Sequence, residues 1–239
     1  MKKLLFVSLG LALAGMASGQ VPGSDRLKKH YLDTYEHALK YNDLGLAINS
    51  LNNAIVEMPA GEEIAYKDTL SMLYFKNKDY LSCLLLSQEV YKANPTNTNA
   101  LTRAGDCYQA AGDYRNAAEV FEKVAPLQNN PFYYYQLAVC QYTIKKGVEA
   151  RTNIDKAIAD TNSNHTAIIF VSPNGSQQQV PVSAAAINLK AIMLMDEKNY
   201  AQAKQLLQSA LKIDPDFQGA QQNVIVCDNA IKGNKPKSK

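Results

Sequence analysis

The chain contains no tryptophan and only three histidines, His30, His37 and His165, in 239 residues. It has no Gly-x-Ser-x-Gly elbow and no glycine-rich phosphate loop, so the usual sequence marks of a hydrolase or a nucleotide-binding enzyme are missing. His30, Asp33 and His37 fall at i, i+3 and i+7 on one helical face, but imidazoles two turns apart rarely reach one ion. A solvated helix surface is the ordinary explanation. Glu62 and Glu63 read as acids that favour a helix N-terminus rather than as an acid/base pair. The expectation is no metal, no cofactor, no catalytic residue and no enzyme.

Charge of one sign is lacking too: 25 basic and 22 acidic residues give a net charge of +3. Lys232, Lys235, Lys237 and Lys239 crowd the last eight residues, and Lys2 and Lys3 stand at the other end, so the body between is slightly acidic. Nothing there forms a surface for nucleic acid. The apolar run at residues 4–16 falls short of the roughly 20 residues that a membrane span needs. With two lysines before it and Ala17, Ser18 and Gly19 after it, the segment 1–19 reads as a secretory signal peptide. Cleavage before Gln20 would leave a formal charge of +1. No cysteine follows the run, so a lipoprotein anchor is not expected. The expected location is outside the cytoplasm, in the periplasm of a Gram-negative bacterium, with no transmembrane segment in the mature chain.

What the chain does have is a repeat. Residues 98–131 read as two short amphipathic helices joined at Ala111, Gly112, Asp113 and Tyr114. Leu101, Ala104, Gly105 and Tyr108 form one stripe of a 3.6-residue period, and Tyr114, Ala117, Phe121 and Val124 form its match. Gly105 and Ala117 let the two helix axes approach, while Tyr108 and Phe121 fill the space beside them. So short a hairpin cannot bury its own apolar surface and must stack on copies.

The copies begin at turn pairs Asp43-Leu44, Asp79-Tyr80, Asp113-Tyr114 and Asn199-Tyr200, with Lys146-Gly147 as a degenerate version. A small residue follows at Ala47, Cys83, Ala117, Ala150 and Ala203, then Leu51, Ser87, Phe121, Ile154 and Leu207, then Ala54, Val90, Val124, Ala157 and Ala210. Pro59, Pro95 and Pro215 stop three of the second helices. The turns are 36, 34, 33 and 53 residues apart. A helix–turn–helix unit with a period near 34 resembles the tetratricopeptide repeat. The resemblance covers residues 28–217 and is strongest at 184–217. Three departures stand out: bulky Tyr35 where a small residue is usual, the poor fourth turn, and an insertion after the fourth unit.

The expected fold is all-α, a right-handed α-solenoid of helix-turn-helix repeats with one inserted β-hairpin and a C-terminal capping helix. Within a domain of residues 20–232, repeats fall at about 28–61, 64–97, 98–130, 131–161 and 184–217. The insertion takes 162–183, the capping helix 217–232, and a disordered basic tail 233–239. Helices are expected at 24–41, capped by Ser24 or Asp25, and at 44–58, 62–77, 80–93, 131–143, 148–159, 184–196 and 200–213. In the insertion, 166–171 is β-prone, residues 172–175 signal a turn and 178–182 return, with Pro181 confining its strand to an edge. The hairpin is read as projecting from the array. Either it is an ornament folded back on an adjacent helix, or it is a partner-contact or lid element.

In the tetratricopeptide family the first helices of successive units line a concave groove. The resemblance places Met72, Phe75, Thr102, Asp106, Gln109, Tyr135, Val139, Tyr142, Asn188, Ile192 and Met195 on it. Such a floor suits an extended or helical apolar segment of a partner, although the same residues at helical spacing can pack between repeats. A chaperone-tail clamp needs several cations in the groove, which are missing from these positions. The expected function is therefore a non-catalytic protein- or peptide-binding adaptor or scaffold. The alternatives are a self-associating structural protein, forming a homodimer through the hairpin or the solenoid ends, and a small-ligand carrier with a closed apolar pocket.

Cys107 and Cys140 take the same place in consecutive first helices, Cys227 takes it in the last helix, and Cys83 holds a small-residue position. Equivalent residues on stacked helices lie about 8–10 Å apart, beyond disulfide reach. The four are expected to be buried, reduced thiols acting as small hydrophobes. Titration with a thiol reagent under denaturing conditions should therefore count four, and a lower count would overturn the assignment.

Overall fold

A computed structural model describes residues 23–171 and 175–233. The expected signal peptide, the tip of the inserted hairpin at 172–174 and the basic tail beyond Gly233 lie outside the described residues. The backbone falls into two units that divide after Tyr66.

The first unit holds α1 (Ser24–Lys40) and α2 (Leu44–Val56), which pack as a pair. Ala38, Ala47, Leu51 and Ala54 are buried in it. The expected cap on α1 is not there: Gly23 precedes the helix at φ 112° without a side-chain cap. Ser24 lies inside the first turn, and its hydroxyl donates instead to the Glu57 carbonyl at 2.8 Å. Lys28 reaches Glu62 at 3.0 Å. The unit also contains the first residues of α3 (Glu63–Lys76).

The second unit carries the rest: α4 (Tyr80–Ala93), α5 (Thr98–Ala110), α6 (Tyr114–Gln128), α7 (Pro131–Thr143), α8 (Gly147–Ala159), β1 (Ala167–Val171), β2 (Gln177–Pro181), α9 (Val182–Asp196), α10 (Tyr200–Ile213) and α11 (Gln218–Gly233). From α4 onward each helix packs on the next, with α9 also meeting α7 and α11. This is the stacking of an α-solenoid. Helices α4, α7 and α10 span the residues expected of them. Helix α9 starts two residues early, directly from the second strand, because Pro181 keeps extended backbone and Val182 takes the first helical position.

One turn is used throughout. Asn42, Lys78, Gly112, Lys145 and Lys198 each adopt a positive φ, between 54° and 80°. The next residue donates its backbone N–H to the carbonyl five positions earlier at 2.8–3.0 Å in all five turns, the bond that closes a helix C-terminus. Asp43, Asp79 and Asp113 then cap the following helix, accepting from the N–H of Leu46, Ser82 and Asn116. At Lys146 and Asn199 the side-chain cap is absent while the backbone bonds remain. The fourth turn, degenerate in sequence, has the same backbone form.

Behind each turn the second helices bury their repeat positions. Ala47, Leu51, Ala54, Cys83, Ser87, Val90, Ala117, Phe121, Val124, Ala150, Ile154, Ala157, Ala203, Leu207 and Ala210 are all at most 1% exposed. All four cysteines are buried. Cys83 and Cys107, which are not equivalent positions, face each other between α4 and α5, and the neighbouring Cys83 together with burial pushes the Cys107 thiol up. A thiol held in the protonated form, as Cys107 is, is a poor nucleophile.

The inserted hairpin does not project. β1 and β2 pair antiparallel, Ala167 opposite Pro181 and Ile168 opposite Val180. Its inner face carries Ile168, Phe170, Gln178 and Val180, and Ile168 and Val180 share a core with Tyr135, Ala185 and Leu189. Phe170 stacks 5.4 Å from Phe217. Gln178 donates to the Asp216 carbonyl at 2.6 Å and accepts from the Gln218 N–H at 3.2 Å, which caps α11. The hairpin is an ornament folded onto α9 and the start of α11. Ile169 and Val171 point the other way and are exposed, as the two-residue period of a strand requires.

A β-carbon added at Gly105 would stand 3.0 Å from Phe121 Cε1 and 3.0 Å from Val120 Cγ1, and Phe121 is fully buried with nowhere to move. Gly105→Ala should therefore destabilise the protein by about 1–2 kcal/mol in urea denaturation, overpacking outweighing the helix-propensity gain. An unchanged midpoint would show that the α5–α6 contact is looser than described.

Candidate peptide groove

Helix α5 divides its faces by period. Leu101, Ala104 and Gly105 are buried, whereas Asn99, Thr102, Arg103 and Asp106 recur at i, i+3, i+4 and i+7 on a separate polar stripe. That stripe faces α3, and the two helices bound an open cavity of about 260 Å³ lined by Met72, Phe75, Asn99, Thr102, Arg103 and Asp106. Met72 is 49% exposed and Phe75 37% exposed. The Phe75 ring stands edge-on to Tyr80 at 5.7 Å, which fixes its orientation. The cavity is apolar along α3 and polar along α5.

Arg103 is committed to α3. Its Nε donates to Ser71 Oγ at 2.7 Å and its Nη2 to the Asp68 carboxylate. Asn97 donates to the other Asp68 oxygen at 3.0 Å while capping α5. This cluster ties α5 to α3 and uses up the one guanidinium in the cavity. Asp106 is half-buried, and burial pushes its carboxyl up to about 6 against the pull of Arg103. Among the described residues no group donates a hydrogen bond to it.

The other positions carried over from the family have different surroundings. Gln109 accepts from Gln136 at 2.8 Å. Tyr135 is 8% exposed and sits in the core beneath α9 and the hairpin, where burial pushes its phenol to about 12. Asn188, 8% exposed, accepts from Asn223 of α11 at 2.9 Å. Val139 and Met195 pack against the same core, and Ile192 is half-buried. Tyr142 donates to Asp196 at 2.5 Å and borders a separate cavity of about 290 Å³ with Lys145, Arg151, Met193 and Glu197. The structure thus brings together Met72, Phe75, Thr102 and Asp106, while Tyr135 and Asn188 belong to packing. Asn99 and Arg103 are additions, and their spacing from Thr102 and Asp106 was the available signal.

The raised carboxyl at Asp106 has a stability consequence. A carboxylate whose folded-state value lies above its unfolded value holds its proton more tightly when folded, so stability falls as pH rises from about 4 to about 6 and stays lower above. Asp106→Asn removes that cost. It should raise the unfolding free energy by about 1–2 kcal/mol at pH 7.5 and leave it unchanged at pH 4, in paired urea melts. Equal effects at both values would contradict the assignment.

A family model described as anaphase-promoting complex, cyclosome, subunit 3 matches residues 76–157, and one described as tetratricopeptide repeat matches 184–217. No curated protein matches the chain. Among solved structures, a tetratricopeptide repeat protein from Parabacteroides merdae is 12% identical over 87% of this chain and 74% of its own, with a TM-score of 0.67. YrrB, described as a tetratricopeptide repeat protein with an unusual peptide-binding site, is 13% identical over 85% and 98%, with a TM-score of 0.62. MamA is 19% identical over 72% and 88%, with a TM-score of 0.57. At such identities the likeness is one of fold. Repeat positions, turn geometry, family models and fold agree that the chain is built from repeats of the tetratricopeptide type.

Proposed function

We propose that this chain is a non-catalytic adaptor or scaffold that holds an extended segment of another protein in the cavity between α3 and α5. The observation that carries this reading is the exposure of Met72 and Phe75 on an open cleft whose far wall is polar. Apolar side chains left bare beside oriented polar groups mark a contact surface. The cleft is open to solvent, a shape for a chain segment rather than the closed pocket of a small-ligand carrier. The peptide-binding description of YrrB and the use of the family as interaction scaffolds agree with it. The same proposal places the protein outside the cytoplasm, in the periplasm of a Gram-negative bacterium, after loss of residues 1–19.

A second reading is favoured by the exposed Ile169 and Val171 on a strand with no charged residue between 166 and 182. Such an edge lacks the usual guards against pairing with another copy. Light scattering separates the two: a monomer at all concentrations fits the adaptor, and a dimer abolished by Val171→Lys fits self-association.

For the adaptor, affinity capture from envelope extract should lose its co-purifying protein at least tenfold when Met72→Glu and Phe75→Glu are combined. The control Val148→Glu, at a residue 79% exposed on α8, should capture normally. Equal capture by all three proteins would overturn the groove. Tyr135→Ala is unsuited to this test, because it opens the core.

A further inference from the structure

We propose that the cavity between α3 and α5 seats one lysine side chain of the partner segment, its aliphatic stem against Met72 and Phe75 and its ammonium on the Asp106 carboxylate. This rests on the groove reading and adds the chemistry of what is held.

Three charged groups stand in or beside the cavity, and two of them cancel. Arg103 and Asp68 form an ion pair reinforced by Ser71 and Asn97, so neither is free to meet a ligand. Asp106 lines the cavity without a hydrogen-bond donor among the described residues. The site therefore presents one uncompensated negative charge behind apolar walls. An acidic side chain would be repelled by it. A purely apolar side chain would displace its remaining water and leave a buried carboxylate unpaired, which is costly. A cation with an apolar stem satisfies both parts of the lining at once. Lysine has that form, a point charge on four methylenes, and a lone carboxylate offers no planar array of acceptors that would prefer a guanidinium fork.

The ionised Asp106 also bears a cost. The carboxyl of Asp106 is displaced to about 6 by burial, with Arg103 pulling the other way, so its ionised form is disfavoured until a cation meets it. Binding an ammonium would favour the ionised form, so affinity should fall on acidification. The titratable and charged groups facing Asp106 are Arg103 and Cys107 on α5, Cys83 on α4, and Tyr133 and Cys140 on α7, with Asp68 on α3 behind Arg103. The Asp106→Asn variant separates its contribution from theirs.

The test is calorimetric, with seven-residue peptides acetylated and amidated at their ends: leucine and alanine on both flanks and lysine, arginine, norleucine or glutamate at the centre. A fifth peptide has central norleucine and a free N-terminal amine. At pH 7.5 the lysine peptide should bind the wild-type protein at least tenfold tighter than the norleucine peptide. Asp106→Asn, checked for fold by its melt, should erase that preference, and pH 5 should reduce it severalfold in the wild type only. Equal binding of the lysine and norleucine peptides, both lost in Met72→Glu, would overturn the lysine assignment and leave the groove standing. So would tighter binding of the arginine or free-amine peptide. If no peptide binds while partner capture still depends on Met72 and Phe75, the lysine assignment alone falls. If capture is indifferent to those residues as well, both readings fall.

Discussion

Each helix hairpin is turned by a single backbone device, a left-handed residue followed by a carbonyl bond reaching five positions back. It ends one helix and starts the next across three residues, so each hairpin turns with the same backbone form. Lysine occupies the strained position at 78, 145 and 198, where L-residues pay for a positive φ. The packing gained behind the turn outweighs that cost. Hairpins turned alike can then bury residues at matching depths, and Ala117, Phe121 and Val124 have their counterparts in every repeat. The first helices are left side by side, and the cleft between α3 and α5 is one result.

The turns were legible because the cap residue repeats with them. Asp43, Asp79 and Asp113 announce three, and small residues three positions on locate the remaining two. The direction of the inserted hairpin was not legible. Ile168 and Phe170 face the core while Ile169 and Val171 face away, yet all four are apolar, so alternation offered no contrast from which to choose a face. The floor of the groove was half legible for a related reason. Periodicity tells which side of α7 Tyr135 occupies, but not that α9 and the hairpin close over that side. Asn188 likewise lies on the expected side of α9 and is taken by Asn223 of α11. A pattern local to one helix carries no record of what a later segment lays upon it.

The cleft illustrates how a binding surface is made from an interaction scaffold without altering the scaffold. Leu101, Ala104 and Gly105 serve the fold, Thr102 bonds to Gln128 of α6, and Asn99 and Asp106 on the same stripe are left to the cleft. Arg103 works for both sides, joining α5 to α3 through Asp68 and Ser71 while removing its own charge from the cleft. The functional character of the site thus depends on a structural ion pair: were Arg103 free, Asp106 would be neutralised from within. Fold alone does not determine such a detail, and structures at 12–19% identity share the scaffold without implying the same floor.

The grip of Gln178 on the first residues of α11 gives the array a polarity. Through that side chain and the Phe170–Phe217 stack, the insertion fastens the terminal helix to the repeat before it, and α7 to α11 share one continuous core. In a linear array each unit is held only by its neighbours, so an end without such a clasp opens first. Within the second unit the cleft is built from helices outside that shared core, so what fastens the terminal helix and what shapes the binding floor are separate sets of residues.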